Sequence, residues 1–264
     1  MLVSKRFGGI DHRKKHQMPE NKPSILILHG WGRFTGSWNP VKEELEKEGY
    51  RVFYPPLPGL DENQPLEKPW TIDDYVQWNK DYAEKNQLDR FCLVGHSFGG
   101  RIAIKFAQRY PEKLSGLILV SAAGIRNERT ARRYARLARI AQAFGKLSFL
   151  PGYQLGRKVF YRLILRQTNY VSLKNEVMKK TLGNVVEEDL TPYLAQIKTS
   201  TLILWGADDR TTPLTDARLM TARLPNCRLE IIAGVGHKPH QESPEKTAQK
   251  ILDFIKTLWR SSSS

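Results

Sequence analysis

Three side-chain types in this chain could together perform acyl transfer: a serine in a tight turn, a histidine in a glycine-flanked loop, and an aspartate at a strand end. The serine is Ser97, in the G-x-S-x-G pentapeptide Gly95-His96-Ser97-Phe98-Gly99. The apolar run Phe91-Cys92-Leu93-Val94 precedes it, and a helix-forming run from Gly100 to Ala107 follows. A serine on so tight a strand-to-helix turn has its hydroxyl pushed clear of the sheet, and small neighbours relieve the crowding. A hydroxyl is a poor nucleophile at neutral pH and needs an adjacent base, which an acid in turn orients. His237, in Gly234-Val235-Gly236-His237, is the candidate base, and His240 is its rival three residues on. His12 and His16 lie in a basic N-terminal stretch, while His29 and His96 read as packing around two loops. For the acid, Trp205-Gly206-Ala207-Asp208-Asp209 leaves a strand and enters a turn, and spacing alone leaves Asp208 and Asp209 both open.

The elements that must position these groups are written as hydrophobic runs. Ser24-Ile25-Leu26-Ile27-Leu28 and Leu117-Ile118-Leu119-Val120 are continuously apolar, as strands covered on both faces are. Arg51–Tyr54, Thr201–Trp205 and Arg228–Ile232 read as further strands. Pro40 to Glu48 has proline at its start and Gly49 at its end, the punctuation of a helix. Thr71 is placed to N-cap a helix from about Ile72 to Asn86, and a last helix runs from about Pro244 to Trp259. Alternating strands and helices imply right-handed crossovers and a mostly parallel sheet flanked by helices. The interruption is 122–198, which carries helical periodicity and no strand signal. The chain therefore divides into a core, 1–121 with 199–264, and an inserted helical cap, 122–198.

Composition narrows the classes. At 264 residues, 40% hydrophobic and 26% charged, the chain is long enough for one large α/β domain carrying an insertion. No run approaches the roughly 18 apolar residues of a membrane span. The start, Met1-Leu2-Val3-Ser4-Lys5-Arg6, lacks the apolar stretch of a signal peptide, so the expectation is a cytoplasmic protein with Cys92 and Cys227 reduced. His237-Lys238-Pro239-His240 lacks metal-ligand spacing, so no metal is expected. Gly30-x-Gly32-x-x-x-Gly36 approximates a dinucleotide loop, but the second strand ends Phe53-Tyr54-Pro55-Pro56, with no acid to hold a ribose. No cofactor is expected.

The net charge of +15 is concentrated: residues 125 to 186 hold fourteen Lys and Arg against Glu128 and Glu176 alone. Arg129, Arg132, Arg133, Arg136 and Arg139 recur at helical spacing opposite Leu137, Ile140 and Phe144. Three readings stand: a solvated face, a surface for anionic phospholipid, or a site for an anionic substrate. Aromatic residues do not interleave with the arginines as a nucleic-acid groove requires, so nucleic acid is not an expected partner.

The order Ser97, aspartate, His237, on alternating strands and helices, resembles the α/β-hydrolase superfamily from about residue 24 to 259. The resemblance implies the α/β-hydrolase fold, with 122–198 in the place of its cap. That family's G-x-x-x-D-x-x-x-P turn selects Asp209 over Asp208, with Pro213 as the proline. Its G-H-x-x-x-x-E-x-P-E turn selects His237 over His240, with Glu242, Pro244 and Glu245 following. The position where some members carry the acid instead holds Ser121. His29-Gly30-Trp31-Gly32 resembles the oxyanion loop, which implies the backbone N–H groups of Trp31 and Phe98 as donors. Dehalogenases and epoxide hydrolases of this fold use aspartate where Ser97 stands. Carbon–carbon bond hydrolases have a tryptophan where Lys238 follows His237, and a proline where Arg33 stands. The implied activity is hydrolysis of a small carboxylic ester, thioester or amide through an acyl-enzyme. Two alternatives remain: a lysophospholipase or monoacylglycerol lipase at an anionic membrane, and a non-catalytic ligand receptor. Residues 1–23 offer little for the family's N-terminal hairpin, so a reduced sheet of about six to seven strands is expected.

Overall fold

The computed structural model describes residues 22–32, 34–125 and 175–262. The described strands are β1 (Ile25–Leu28), β2 (Val52–Phe53), β3 (Phe91–His96), β4 (Leu114–Val120), β5 (Thr201–Gly206) and β6 (Cys227–Ile232). They form one sheet in the order β2-β1-β3-β4-β5-β6, and every pairing is parallel. The described helices are α1 (Asn39–Lys47), α2 (Ile72–Lys85), α3 (Phe98–Arg109), α4 (Glu176–Glu187), α5 (Leu214–Arg223), α6 (Pro239–Glu242) and α7 (Pro244–Ser262). The region of the expected N-terminal hairpin and most of the expected cap lie outside the described residues.

Side-chain alternation along the strands builds two cores. Leu26, Leu28, Leu93, Leu117, Leu119, Ile203 and Trp205 turn to one face, where α2, α3, α4 and α5 cover them. Ile25, Ile27, Val94, Ile118, Val120, Leu202 and Leu204 turn to the other, beneath α1 and α7. Each such side chain, fully buried, contributes about 1.5–3 kcal/mol relative to exposure. This two-sided cover is why the strands read as unbroken apolar runs. The helix ends follow their sequence signals: Thr71 and Asp74 exchange side-chain-to-backbone bonds in a capping box at α2. Gly49 closes α1 at φ 82°, a conformation that costs glycine nothing. Helix α5 has no counterpart among the sequence expectations.

The described residues on either side of 126–174 meet at the core. The Leu190 N–H donates to the Gly124 carbonyl at 2.9 Å, and the Ala123 N–H donates to Ser97 O at 3.0 Å. On α3, Arg101 donates to the carbonyls of Val186 and Glu188, and Lys105 bridges Asp73 (2.9 Å) and Glu188 (2.6 Å). Ser97, Asp209, His237 and the Trp31 loop all follow the carboxyl ends of parallel strands, where sites gather on such sheets.

Candidate active site

Ser97 is the first non-helical residue before α3, with φ 50° and ψ −110°. This is a sparsely populated region for a residue with a Cβ, and such strain persists only where surroundings over-determine it. Those surroundings are visible. The Ser97 N–H donates to Val120 O at 3.1 Å, and its carbonyl accepts from Gly100 and Ala123. A Cβ on Gly95 would stand 2.6 Å from the Gly99 carbonyl, and one on Gly99 would run into the carbonyls of Leu28 and His29. The pentapeptide's glycines are there because β1, β3 and α3 approach one another too closely for side chains.

The histidine loop completes the contact. His237 Nε2 lies 3.0 Å from Ser97 Oγ, and His237 Nδ1 lies 2.9 Å from Asp209 Oδ2. Nδ1–H donating to the carboxylate leaves Nε2 free to accept the serine proton. Asp209 is enclosed by donors. Its Oδ1 accepts the N–H groups of Thr211 (2.8 Å) and Thr212 (3.0 Å), and its Oδ2 accepts the Thr212 hydroxyl (2.8 Å). Burial pushes the Asp209 carboxyl pKa up, but the bonds from His237 and Thr212 outweigh it, and the net direction is down. A carboxylate held ionised there fixes the imidazole's orientation. Asp208 is exposed, and its N–H donates to Val235 O.

His240 lies elsewhere. Its ring stacks on Trp38 at 4.5 Å and 5°, and burial with nearby positive charge pulls its pKa down to about 3. Glu242, a letter in the sequence pattern, has a plain role: it accepts the N–H groups of Gly236 (2.6 Å) and Lys238 (3.0 Å), bracketing His237.

His96 is more than loop packing. Its Nε2–H donates to the His237 carbonyl at 2.9 Å, tying the strand that ends in the serine turn to the histidine loop. Burial holds it neutral, its pKa well below the usual histidine range. No local signal marks this bond, because its partners are 141 residues apart. His29 likewise orders the Trp31 loop: Nδ1–H donates to Gly30 O (2.8 Å) and Nε2 accepts from the Leu57 N–H (3.0 Å). Burial lowers its pKa to about 4.

Trp31 and Phe98 are neighbours, their rings edge-to-face at 5.0 Å. Phe98 is the first residue of α3, so the helix leaves its N–H unpaired. A Cβ on Gly30 would stand 3.4 Å from Ser97 Cβ, so the Trp31 loop runs directly past the serine. Among the described residues no three His, Cys, Asp or Glu side chains group as metal ligands, and no helix is long and apolar enough to cross a membrane.

Residues 25–250, most of the chain, match the alpha/beta hydrolase family, and the chain belongs to it. Among its relatives is the human (Homo sapiens) monoacylglycerol lipase ABHD6, 29% identical over 91% of this chain and 77% of that protein. A 2-hydroxy-6-oxo-6-phenylhexa-2,4-dienoate hydrolase of Comamonas testosteroni is 26% identical over 88% of this chain and 87% of its own. Among solved structures, a bacterial membrane phospholipase A superposes with a TM-score of 0.68 at 26% identity, covering 91% of this chain and 80% of that one. These relatives are hydrolases, and so is this chain's family.

Proposed function

We propose that the protein is a serine hydrolase of carboxylic esters, with Ser97 as nucleophile, His237 as general base and acid, and Asp209 as the group that orients it. The observation that carries this reading is the continuous relay from Asp209 Oδ2 through His237 to Ser97 Oγ, at 2.9 and 3.0 Å. As Ser97 Oγ attacks the ester carbonyl, its proton passes to His237 Nε2, and Asp209 stabilises the imidazolium that forms. Negative charge gathers on the former carbonyl oxygen, where the N–H groups of Trp31 and Phe98 are the donors. Collapse expels the alcohol, protonated by His237. A water, deprotonated by the same nitrogen, then releases the acid and restores Ser97. A fluorophosphonate should label Ser97, and Ser97→Ala should lose that label and nearly all p-nitrophenyl ester turnover with its melting temperature kept. Labelling of a different serine, or undiminished turnover, would sink the assignment, and native binding of esters without turnover would favour a receptor.

A second reading is narrower: a lipid ester hydrolase working at an anionic membrane. It draws on the fourteen basic residues between 125 and 186, and on relatives named for monoacylglycerol and phospholipid substrates. The arginine run from Arg129 to Arg139 lies outside the described residues. Each basic residue near such a surface adds on the order of 1 kcal/mol. The chain should therefore cosediment with phosphatidylglycerol vesicles at low salt, and Arg132→Glu/Arg133→Glu/Arg136→Glu should abolish this while sparing soluble-ester turnover. Equal binding to neutral vesicles, or none to either, contradicts this narrower reading.

A further inference from the structure

Strand β6 is an open edge of the sheet: among the described residues its one strand partner is β5. A parallel ladder turns the backbone groups of alternate residues toward the neighbour. Here the Thr201 N–H donates to Asn226 O (3.0 Å) and the Ala207 N–H to Ile232 O (2.9 Å), with Thr201 beside Cys227 and Gly206 beside Ile232. Arg228, Glu230 and Ile232 therefore point their N–H and C=O at β5. Cys227, Leu229 and Ile231 point theirs outward, a row of groups without a backbone partner among the described residues, which templates pairing with another strand.

The side chains along this edge have a symmetry of their own. Cys227, Leu229 and Ile231 share one face of the strand, and Ile231 is 42% exposed. Arg228 and Glu230 share the other, beside α7, where Lys250 reaches Glu230 at 2.8 Å and Arg228 sits 5.8 Å from the Phe254 ring. Cys227-Arg228-Leu229-Glu230-Ile231 thus has apolar residues at its centre and ends, with opposite charges placed symmetrically about Leu229.

We propose that β6 pairs antiparallel with β6 of a second copy of this chain, about a two-fold axis at Leu229. In that register Leu229 meets Leu229 and Cys227 meets Ile231 as hydrogen-bonded pairs. Arg228 meets Glu230 twice, in the non-hydrogen-bonded pairs whose side chains approach most closely. Moving the axis one residue either way sets Arg228 against Arg228, or Glu230 against Glu230. It also centres the pairing on a residue whose backbone is already bonded to β5. The contact is isologous and closed, so it ends at a dimer. The +15 charge on each copy opposes association, so the dimer should strengthen as salt screens charges beyond about 8 Å.

Sedimentation velocity of the full chain from micromolar to near-millimolar concentration, in physiological salt, should show a monomer–dimer equilibrium. Leu229→Pro removes an outward N–H and no bond to β5, and proline is tolerated on edges. It should weaken the dimer at least tenfold and leave far-UV circular dichroism unchanged. Arg228→Glu and Glu230→Arg, each alone, set like charges across the axis and should be monomers. Mixed in equal amounts they should form a heterodimer, and the double exchange Arg228→Glu/Glu230→Arg should restore the homodimer. A monomer at every concentration, a dimer indifferent to Leu229→Pro, or folded single variants that fail to associate on mixing would each overturn the proposal. Amide exchange in the wild type reads the same question without variants: Leu229 and Ile231 should slow as concentration rises, and unchanged rates refute the pairing.

Discussion

Two polar clusters sit at α3, a buried one at its first turn and a half-exposed one along its flank, and they are wired differently. On the flank, the lysine and the carboxylates answer one another. Lys105 lies between Asp73 and Glu188, Arg109 also reaches Asp73 (2.5 Å), and Arg101 is held by two backbone carbonyls. Burial lowers the Lys105 pKa, the two carboxylates more than reverse it, and the ammonium is held charged. At the first turn, the chain of bonds runs one way only, from a fully enclosed carboxylate through an imidazole to a hydroxyl on strained backbone. A closed cluster stabilises the fold. A cluster with a strained, singly bonded end has somewhere to send a proton.

The contrast can be broken at its most enclosed point. Asp209→Asn should lower kcat by roughly 10⁴, because the amide no longer holds the imidazole tautomer. Asp208→Asn should cost at most about tenfold, since its exposed side chain only borders the turn. If steady-state kinetics rank the two the other way, the relay is misassigned.

The next largest effect concerns the bond between the serine strand and the histidine loop. His96→Leu should cut kcat by about 10²-fold with KM little changed, the scale of a small misplacement of catalytic groups. His96→Gln, whose amide nitrogen can donate in the same place, should recover most of it. A glutamine no better than leucine, at equal melting temperature, would reduce His96 to packing.

On the flank the expected loss is of stability. Lys105→Met should cost about 1 kcal/mol in denaturant unfolding, because Glu188 loses its ammonium partner while Asp73 keeps Arg109, and soluble-ester kcat should stay within a few-fold. A large kcat loss at intact stability would erase the distinction between the clusters.

The gentlest probe is pH. His29 and His240 titrate near 6.5 when unfolded and at about 4 and about 3 when folded, and His96 is lowered in the same direction. The unfolded chain therefore binds more protons between pH 6.5 and 4, and stability is full above 6.5 and falls as pH drops through that window. Unfolding at pH 5 should take up two to three protons, measurable from the pH dependence of the melting temperature. A flat profile would mean that these rings are not buried neutral.

What could be read from the sequence depended on how local its cause was. The runs at 91–94 and 201–205 announced their strands because both faces are covered, and the Thr71 cap announced α2. Helix α5 went unread because its buried positions, Asp216, Ala217 and Met220, alternate with Arg218 and Arg223, and Pro213 reads as a turn. Asp208 and Asp209 were indistinguishable by spacing. They part in space because Thr211 and Thr212 fold back on one carboxylate and leave the other in solvent. The roles of His96 and His240 were not legible for the opposite reason: their neighbours come from distant segments that no local pattern encodes.

The hydrogen bond from Leu190 to Gly124 has an architectural consequence. Where a segment's two ends already touch, the closure entropy of the excursion grows only logarithmically with its length. The freedom stops at α4: Met178 and Val185 lie in the core, and Val186 and Glu188 hold Arg101 and Lys105, so a change in length is cheap only on the Gly124 side of that helix.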